Sequence, residues 1–517
     1  MTSIRTDTDI PTAFRATATR KGSAPAIVAD EGTVSFAELD RMSDRLAAHL
    51  QGQGLQVGER VALYCLNGAT FAAAYLGIQK AGGVVLPVNL LLNPEEIAYL
   101  VQDAGATTFI YHPALAEGVA GVRQRVAPLH WISLGEAAAE GDATWAAIQN
   151  QAASPTPLTL NPQRDLAALL YTSGTTGRPK GAMLTHANLV ANTDSVSAAL
   201  ALRPGERFLV VLPMFHAFAA TVGLLTPLLH GLSLVPLARF EPAQVARAIG
   251  EHGATVFLGV PSMYNLLLRL PEEAAAPLRR LRFCVSGGAA MPQAVMAAFE
   301  ERFGVPVLEG DGPTECGPVT CVNPLHGPRK PGTVGLPVPG VTMEIRDAEG
   351  RPLPDGETGE ICVKGPSVMA GYWNRPEETQ ASFFGEFFRT GDLGLRDEDG
   401  YFAIIDRLKD LIIVNGMNVY PRMVEEVLYR HPAVAEAAVV GQPHELHGEI
   451  PVAYVALKEG AEADEAALRT HCRAHLGRHE VPRRFVFLEA LPKNAAGKIL
   501  KRELRRHGEV ERGVTLE

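Results

Sequence analysis

One run of small and hydroxyl side chains has the composition needed to bind an anion: YTSGTTGRPKGAMLTH, residues 171–186. A loop of small residues lets several backbone N–H groups turn toward one anion, and a lysine beside the loop adds positive charge. A Walker A loop would place Ser or Thr directly after the lysine, but Lys180 is followed by Gly181. The run therefore predicts a triphosphate site of another kind, formed by Thr172, Ser173, Gly174, Thr175, Thr176, Gly177 and Lys180.

This run resembles the phosphate loop of adenylate-forming enzymes, the superfamily of acyl-CoA synthetases, luciferases and peptide-synthetase adenylation domains. Four further places match motifs of the superfamily in the same order. They are SGGAA (286–290), GDGPTE (310–315), TGD (390–392) with the later IDRLKD (405–410), and PKNAAGK (492–498). Each motif is short, so the assignment depends on their order along essentially the whole chain. The resemblance implies ATP, magnesium and coenzyme A as ligands.

The nucleotide contacts implied by the resemblance fall on the second and third of these places. Three small residues would pack beside adenine: Gly287, Gly288 and Ala289. Thr314 would touch the α-phosphate and Glu315 would hold magnesium, since a hard cation takes oxygen ligands and bridges phosphate charges. One residue departs from the family pattern, because Asp311, before Gly312, stands where an aromatic side chain commonly stacks on adenine. It can instead accept a hydrogen bond from the adenine amino group.

The later motifs imply the ribose contacts, a hinge and the catalytic lysine. Asp392 and Arg407 would contact the ribose, and Lys409 would be the hinge about which a small domain turns. Lys498 matches the lysine that bonds the substrate carboxylate and the bridging phosphate oxygen, and so stabilises charge that builds up in the transition state. After rotation, a hairpin would approach the pantetheine arm of coenzyme A through Asn415, Gly416 and Met417.

His216 lies in the apolar run LPMFHAFA, where a histidine is commonly a hydrogen-bonded core residue. In the family the matching histidine lies at the mouth of the acyl pocket beside the adenylate, which makes His216 a substrate-proximal candidate with no proton-transfer role. The same cavity is expected to be lined by Phe218, Gly259, Val260 and Gly288, although core packing accounts equally well for Phe218, Gly259 and Val260.

Short apolar runs that alternate with amphipathic segments must position these motifs, and they predict parallel α/β sheets. The pattern predicts a helix over 36–50 and strands over 60–64, 84–88, 208–212, 255–260 and 281–285, with a surface excursion over 136–165. Ligands of open α/β sheets bind at the carboxyl ends of the strands, where the motifs fall. Crowded turn residues over 332–363 indicate a smaller β-rich subdomain.

The pattern changes after residue 406, where a compact α+β unit is expected. It predicts a hairpin over 411–419, helices over 421–430 and 465–476, and strands over 435–440, 452–457 and 484–488. We therefore expect two domains: residues 1–406 bind AMP and the acyl group, and residues 407–517 form a mobile C-terminal domain that carries the catalytic lysine. A single core of about 250 to 300 residues could not hold the whole chain.

The composition limits the class of protein. With 47 basic and 57 acidic residues the net charge is −10, which argues against nucleic-acid binding. The six cysteines form no C-x-x-C pair, so neither a zinc site nor a disulfide framework is indicated and a reducing cytoplasm is the expected setting. No apolar stretch reaches the roughly 18 residues of a membrane span, so a soluble protein is expected, with peripheral membrane contact and the oligomeric state left open.

The predicted reaction is ATP-dependent ligation of a carboxylic acid to coenzyme A through an acyl-adenylate. Two strings, residues 85–101 and 359–379, are most similar to bacterial fatty acyl-CoA synthetases, and they favour a medium- or long-chain fatty acid. Aryl-acid ligases of the coumarate or benzoate type share the same framework and remain an alternative. So do a peptide-synthetase module, a luciferase-type oxygenase, and a non-catalytic acyl-adenylate-binding protein, although the last would be expected to lack Lys498 or Glu315.

Overall fold

The structure, a computed structural model, describes residues 3–127, 129–172, 178–494 and 497–510. Within these ranges the chain forms four β-sheets, three in a large N-terminal domain and one in a smaller C-terminal domain. The α/β class predicted from the sequence is confirmed. The two domains have separate apolar cores, because the clusters of buried side chains end at Phe402 in the large domain and begin again at Ile412 in the small one.

The strands are mostly short and apolar. In chain order they are β1 (Pro25–Ala29), β2 (Gly32–Ser35), β3 (Arg60–Tyr64), β4 (Val84–Pro87), β5 (Ala106–Tyr111), β6 (His130–Ser133), β7 (Ala143–Thr144), β8 (Leu166–Thr172), β9 (Lys180–Thr185), β10 (Arg207–Val210), β11 (Ser233–Pro236), β12 (Val256–Gly259), β13 (Phe283–Ser286), β14 (Val307–Asp311), β15 (Cys321–Val322), β16 (Leu336–Pro337), β17 (Thr342–Arg346), β18 (Gly359–Lys364), β19 (Phe383–Phe384), β20 (Phe387–Arg396), β21 (Phe402–Arg407), β22 (Ile412–Val414), β23 (Met417–Val419), β24 (Val434–His444), β25 (Gly448–Leu457) and β26 (Arg484–Phe487).

The α-helices pack on both faces of the large sheets and on one another. They are α1 (Ile10–Lys21), α2 (Phe36–Gly52), α3 (Ala69–Lys80), α4 (Pro94–Ala104), α5 (Ala116–Arg123), α6 (Trp145–Gln149), α7 (His186–Ala199), α8 (Thr226–His230), α9 (Pro242–His252), α10 (Pro261–Leu267), α11 (Glu272–Ala275), α12 (Gln293–Phe303), α13 (Pro376–Ala381), α14 (Pro421–Tyr429), α15 (Glu465–His475) and α16 (Lys501–Val510). A π-helix spans Ala219–Leu225, and four 3₁₀ turns span Pro113–Leu115, Ala276–Arg280, Thr314–Cys316 and Leu408–Asp410.

The first large sheet has the order β16-β15-β14-β13-β12-β10-β11-β1-β2. Its central strands are parallel and buried, as expected for strands covered by helices on both faces. Parallel strands end at the same edge, so the residues that follow β12, β13 and β14 meet there. Two of the predicted motifs, SGGAA and GDGPTE, are placed together by this arrangement.

The second large sheet has the order β7-β6-β5-β3-β4-β8-β9, and only β8 and β9 are antiparallel in it. The predicted phosphate loop joins these two strands, and the flanking residues Thr172 and Lys180 are cross-strand partners. Helix α3 is buried along nearly its whole length, which marks it as an interior helix between layers. Exposed helices such as α2 and α4 instead begin at capping boxes, Ser35 with Glu38 and Asn93 with Glu96.

The third sheet is antiparallel, with the order β17-β18-β20-β19 and β21 on the other edge of β20. Asp392 on β20 and Arg407 on β21 are cross-strand partners, which brings the two predicted ribose ligands together. The β-rich subdomain expected over 332–363 is present but extends further, through β21. The predicted boundary between residues 406 and 407 stays a prediction, since both residues belong to β21.

The small domain contains the fourth sheet, with the order β23-β22-β25-β24 and β26 beside β25. Its predicted hairpin, two helices and three strands all occur close to the expected positions. In the large domain the helix over 36–50 and the strands named from the sequence are likewise confirmed. The prediction of a surface excursion over 136–165 is partly wrong, because that segment contains β7 and α6, and Ile148 of α6 is buried in the core.

Two further observations concern the whole molecule. All six cysteines are buried, and none of them forms a disulfide. Across the described ranges, every helix is too short or too polar to cross a lipid bilayer.

Candidate active site

The predicted nucleotide and acyl residues meet in one cavity of about 60 Å³ at the carboxyl ends of β13 and β14. Seven of the residues singled out from the sequence line it: His216, Phe218, Gly287, Gly288, Asp311, Gly312 and Thr314. The remaining walls are mostly apolar and come from α7, the π-helix and the segment around β15, among them Val196, Leu200, Val222, Val319 and Cys321. The fold therefore unites motifs that are far apart in the chain.

The ends of the predicted phosphate loop lie on the neighbouring hairpin. Ser173, Gly174, Thr175, Thr176 and Gly177 lie outside the described residues, so their predicted contacts are not described. Lys180 is partly exposed, with its Nζ atom 3.7 Å from Oε1 of Glu378 and 5.4 Å from the ring centre of Tyr372. Both partners belong to the segment that follows β18, which therefore borders the loop.

Glu315, the predicted magnesium ligand, is held by two hydroxyl groups. Its Oε1 atom lies 3.4 Å from Oγ1 of Thr172 and 2.8 Å from the hydroxyl of Tyr372, and its backbone carbonyl accepts from the N–H of Met369 at 2.8 Å. Burial and the nearby carboxylate raise the pKa of Tyr372, which keeps this hydroxyl a donor. A carboxylate beside hydroxyl oxygens is a hard donor set, so these residues fit a magnesium ion.

Tyr372 was not identified from the sequence as part of the site. It belongs to the string GYWNRPEET, which was used only to compare the chain with acyl-CoA synthetases. The string could have indicated a buried role for this turn, because it places two aromatic residues in succession before a helix start, which is unusual in a surface turn. The structure shows that this turn pairs with β9, through a bridge between Ala182 and Tyr372.

The GDGPTE turn requires glycine at its third position. A Cβ atom on Gly312 would lie 1.7 Å from the carbonyl oxygen of Pro318, so no other residue fits without a backbone shift. Asp311 precedes it, and burial together with the charge of Asp392 raises the pKa of Asp311 to about 6, while Arg407 and Lys498 oppose that shift. Asp311 thus faces the ribose pair and the catalytic lysine candidate.

Asp392 and Arg407 form an ion pair across β20 and β21, with 3.0 Å between Oδ1 and Nε. The Asp392 side chain is only 5% exposed, and its backbone N–H donates to Oγ1 of Thr390 at 3.0 Å. The charge of Asp392 raises the pKa of Arg407, which keeps the guanidinium charged. It presents one carboxylate and one guanidinium to the edge of the cleft.

Lys498 is half-buried in this cleft. Burial and the Arg407 charge lower the pKa of Lys498 to about 8, against the opposing influence of Asp392 and Asp311. Its backbone N–H donates to Oδ1 of Asn494 at 2.9 Å, and its carbonyl accepts from the N–H of Asn494 at the same distance, which ties Lys498 to Asn494. Ala495 and Ala496 of this loop lie outside the described residues.

Gly497 attaches the loop to the large domain. The Oγ atom of Ser262 lies 3.4 Å from the Gly497 carbonyl, and a Cβ atom on Gly497 would be 2.9 Å from Cγ2 of Val260. Gly497 also has φ +80°, a conformation that favours glycine. A larger residue here would lift Lys498 away from the cleft.

His216 lies at the border between the cavity and this lysine. Burial and the Lys498 charge lower the pKa of His216 to about 4, so the imidazole is neutral near pH 7. Its Nδ1 atom accepts from the Phe218 N–H at 3.3 Å, which fixes the ring at the start of the π-helix. The substrate-proximal role of His216, with no proton transfer, stays a prediction.

The other substrate candidates take different places. A Cβ atom on Gly259 would meet ring atoms of Phe257 and Tyr264, so Gly259 faces the core and is absent from the cavity wall. Val260 lies behind the wall, 3.9 Å from where a Cβ atom of Gly288 would lie. Ala289 is half-buried in the loop after β13 and is not among the lining residues.

The hinge and hairpin candidates are on the small-domain side. Lys409 is in the 3₁₀ turn after β21, where burial and the Arg407 charge lower its pKa. Asn415, Gly416 and Met417 are exposed at the tip between β22 and β23, and none of them lines the cavity. Oδ1 of Asn415 lies 2.9 Å from Nδ1 of His447, so the tip is tied to the loop between β24 and β25.

Polar contacts join the two domains. Nδ2 of Asn265 donates to the Ala435 carbonyl at 3.0 Å, and Nη2 of Arg422 lies 3.7 Å from Oε1 of Glu309. Burial raises the pKa of Glu309 to about 7, and its second oxygen is unpartnered among the described residues. Neither Glu309 nor Arg422 was identified from the sequence, because each is unremarkable until the domains meet.

Known proteins with the same arrangement identify the family. A family model described as AMP-binding enzyme matches residues 14–373, and one described as AMP-binding enzyme C-terminal domain matches residues 423–498. Over 479 residues the chain is 40% identical to a sulfoacetate–CoA ligase of Cupriavidus necator, covering 92% of each protein. Over 489 residues it is 37% identical to a long-chain-fatty-acid–CoA ligase of Bacillus subtilis, covering 89% of this chain and 87% of that one.

A solved structure extends the likeness to three dimensions. The anthranilate CoA ligase AuaEII in complex with anthranoyl-AMP matches with a TM-score of 0.91 at 28% identity, covering 98% of this chain and 99% of that one. The order of the motifs, the cleft and these likenesses all indicate the same family. The chain therefore belongs to the AMP-binding enzyme family of AMP-forming acyl- and aryl-CoA ligases.

Proposed function

We propose that this ligase activates a fatty acid, with the acyl-adenylate as intermediate and the acyl-CoA thioester as product. The observation that carries the adenylation step is the position of Lys498, which Gly497 holds half-buried beside His216 and opposite Asp311 and Asp392. A carboxylate is a poor acceptor for a thiol because its charge repels the nucleophile and it has no good leaving group. Transfer to AMP provides that leaving group.

In the first step the acid carboxylate attacks the α-phosphorus of ATP, and pyrophosphate leaves. We assign Lys498 to the carboxylate and the bridging oxygen, and Thr314 to the α-phosphate. Thr172, Lys180 and the loop between them bind the β- and γ-phosphates. Enzymes of this family use ATP, Mg²⁺ and coenzyme A, and a magnesium ion on Glu315 would neutralise phosphate charge. Preorganised charges of this kind lower the barrier because they need no reorganisation during the reaction.

The rest of the cleft binds the nucleoside. Gly287, Gly288 and Ala289 leave room for a flat ring against the backbone after β13, and we assign adenine to that place. Asp311 then accepts from the adenine amino group, and the Asp392–Arg407 pair contacts the ribose. The cavity wall supports this assignment, since Gly287, Gly288 and Asp311 all contribute to it.

In the second step the thiol of coenzyme A attacks the acyl carbonyl, and AMP leaves. We propose that the small domain first rotates about Lys409, which withdraws Lys498 and brings Asn415, Gly416 and Met417 toward the pantetheine arm. The polar character of contacts such as Asn265–Ala435 and Arg422–Glu309 supports such a rotation, because polar interfaces re-form readily. The Arg422–Glu309 contact would be broken in the process.

The chemistry of the cavity supports a fatty acid over a dianionic acid. Its lining contains no Lys or Arg among the described residues, His216 is neutral near pH 7, and Asp311 would repel a second anion. A distal sulfonate or carboxylate would therefore be buried without a partner, which is costly. An alkyl tail would instead contact Val196, Leu200 and Val222.

The cavity is small for an acyl chain. An engineered cavity of about 150 Å³ accepts benzene, whereas this one has about 60 Å³ between its walls. A medium- or long-chain tail would therefore have to displace wall side chains such as Leu200 or Val222, and the volume favours neither length.

Replacement of Lys498 tests the division between the two steps. We expect Lys498→Ala to slow adenylation by at least about a hundredfold, because one preorganised charge is lost. Thioester formation from supplied acyl-adenylate and coenzyme A should stay near the wild-type rate. ATP–pyrophosphate exchange measures the first step and acyl-CoA release the second. Lys493→Ala is the matched control, since Lys493 lies in the same loop and is paired with Glu436. Equal loss of both steps in Lys498→Ala would refute the assignment.

The lowered pKa of Lys498 predicts a basic limb in the pH profile. The amine is charged below a pH of about 8 and neutral above it, so kcat/KM for ATP in the exchange reaction should fall as pH rises through that value. Lys498→Arg keeps its charge, because guanidinium titrates above about pH 12, and its residual activity should lack this limb. NMR of ¹³C-methylated lysines gives the Lys498 midpoint directly. A basic limb that persists in Lys498→Arg would assign the titration to another group.

A panel of acids tests the substrate class. Scored by coenzyme A-dependent AMP formation, kcat/KM should be higher for medium- or long-chain fatty acids than for acetate, because an alkyl tail would contact the apolar wall. Sulfoacetate should be at least about a hundredfold poorer than butyrate, since an unpaired anion would be buried. Val222→Ala should shift the optimum toward longer acids, because each added methylene in the enlarged pocket gains about 0.8 kcal/mol. Highest activity with benzoate or coumarate would establish the aryl-acid alternative instead.

A further inference from the structure

A carboxylate outside the cleft holds two parts of the nucleotide site together. Asp103 lies in the last turn of helix α4, and its side chain is 15% exposed. Its Oδ2 atom accepts from the hydroxyl of Tyr171 at 2.5 Å, and its Oδ1 atom accepts from Nη2 of Arg375 at 3.3 Å. The backbone carbonyl of Asp103 accepts from Nε1 of Trp373 at 3.1 Å. Asp103 thus accepts hydrogen bonds from three side chains that belong to two distant segments.

Each of these segments also supplies a hydroxyl to Glu315. Tyr171 is followed in β8 by Thr172, and Trp373 is preceded by Tyr372 in the turn that pairs with β9. Consecutive residues of an extended strand point to opposite faces. One face of each segment therefore reaches Asp103, while the other reaches Oε1 of Glu315, at 3.4 Å from Thr172 and 2.8 Å from Tyr372.

The same carboxylate is linked to the other end of the phosphate loop. The hydroxyl of Tyr99, one turn earlier in α4, lies 3.5 Å from Oδ1 of Asp103 and 3.4 Å from the carbonyl of Pro179. The guanidinium of Arg178 stacks over the Tyr99 ring at 5.0 Å. Helix α4 therefore contacts both strands from which Thr172 and Lys180 extend.

We propose that Asp103 is a positioning residue for the magnesium–ATP site. It has no place in the cavity wall and acts through Tyr171 and Trp373, whose positions set the two hydroxyls that orient Glu315. This inference rests on the proposed role of Glu315 in nucleotide binding. Loss of the Asp103 charge would leave Glu315 intact but free to turn away from the phosphates.

The test uses variants that remove single contacts. Asp103→Asn keeps the size of the side chain, and Tyr171→Phe removes only a hydroxyl. The matched control is Asp142→Asn, because Asp142 is a carboxylate with a buried side chain beside the same sheet that also accepts from a tyrosine and an arginine, Tyr111 at 2.9 Å and Arg123 at 2.6 Å. Asp142 is bonded beside β5 and β7, away from the β8–β9 hairpin.

Calorimetric titration with a non-hydrolysable ATP analogue, with and without Mg²⁺, gives the decisive readout. We expect Asp103→Asn and Tyr171→Phe each to weaken binding of the magnesium complex by roughly tenfold, with less effect on the metal-free analogue. The double variant should be little weaker than either single one, since both break the same contact. KM for the acid should not change. Asp142→Asn should lower Tm and leave the Kd of the magnesium complex unchanged.

Two outcomes would contradict the inference in different ways. If Asp103→Asn lowers Tm as Asp142→Asn does, with an unchanged Kd for the magnesium complex, then Asp103 is structural only and the inference is overturned. If Glu315→Gln also binds the magnesium complex as tightly as the wild type, the proposed role of Glu315 fails, and this inference fails with it.

Discussion

The site depends on keeping an ammonium group charged after most of its water has been removed. Lys498 comes from the small domain, and burial in the cleft opposes its charge strongly enough to lower its pKa to about 8. Asp311 and Asp392 offset part of that cost, but Asp311 is itself buried and its pKa rises to about 6. The charges of Lys498, Asp311 and Asp392 thus stabilise one another only in part. The triphosphate and carboxylate of bound substrates would complete the balance.

This balance explains why the site lies between two domains. A lysine fixed permanently in the cleft would obstruct the second reaction, while one in solvent would add little to the first. In the described part of the segment that carries Lys498, Gly497 accepts a hydrogen bond from Ser262 and packs closely on Val260. Contacts of this kind can be broken without unfolding either domain, because each domain has its own core.

Much of the fold could be predicted because local pattern and tertiary structure agree. Parallel strands buried on both faces are near-continuous apolar runs, so β3, β4 and β12 were recognisable, and a proline start marked α14. The composition of segment 136–165 predicts a surface excursion and gives no sign of α6. That helix is short, and Ile148 is its one buried residue. Among the site residues, Gly259 faces the core and not the cavity. The sequence left both positions open, since a glycine at the end of a strand can face either.

The residues that prediction missed share one property: their partners are remote in the chain. Tyr372 matters because its hydroxyl meets Glu315, and Asp103 because it meets Tyr171 and Arg375. The sequence by itself determined the chemical groups, the order of the motifs and the strands that carry them, since these follow from residue type and periodicity. Only the tertiary structure decided which side chains meet, how deeply Lys498 is buried and which residues line the cavity. Distances across a fold and the loss of water there are set by packing between segments, and no local pattern records them.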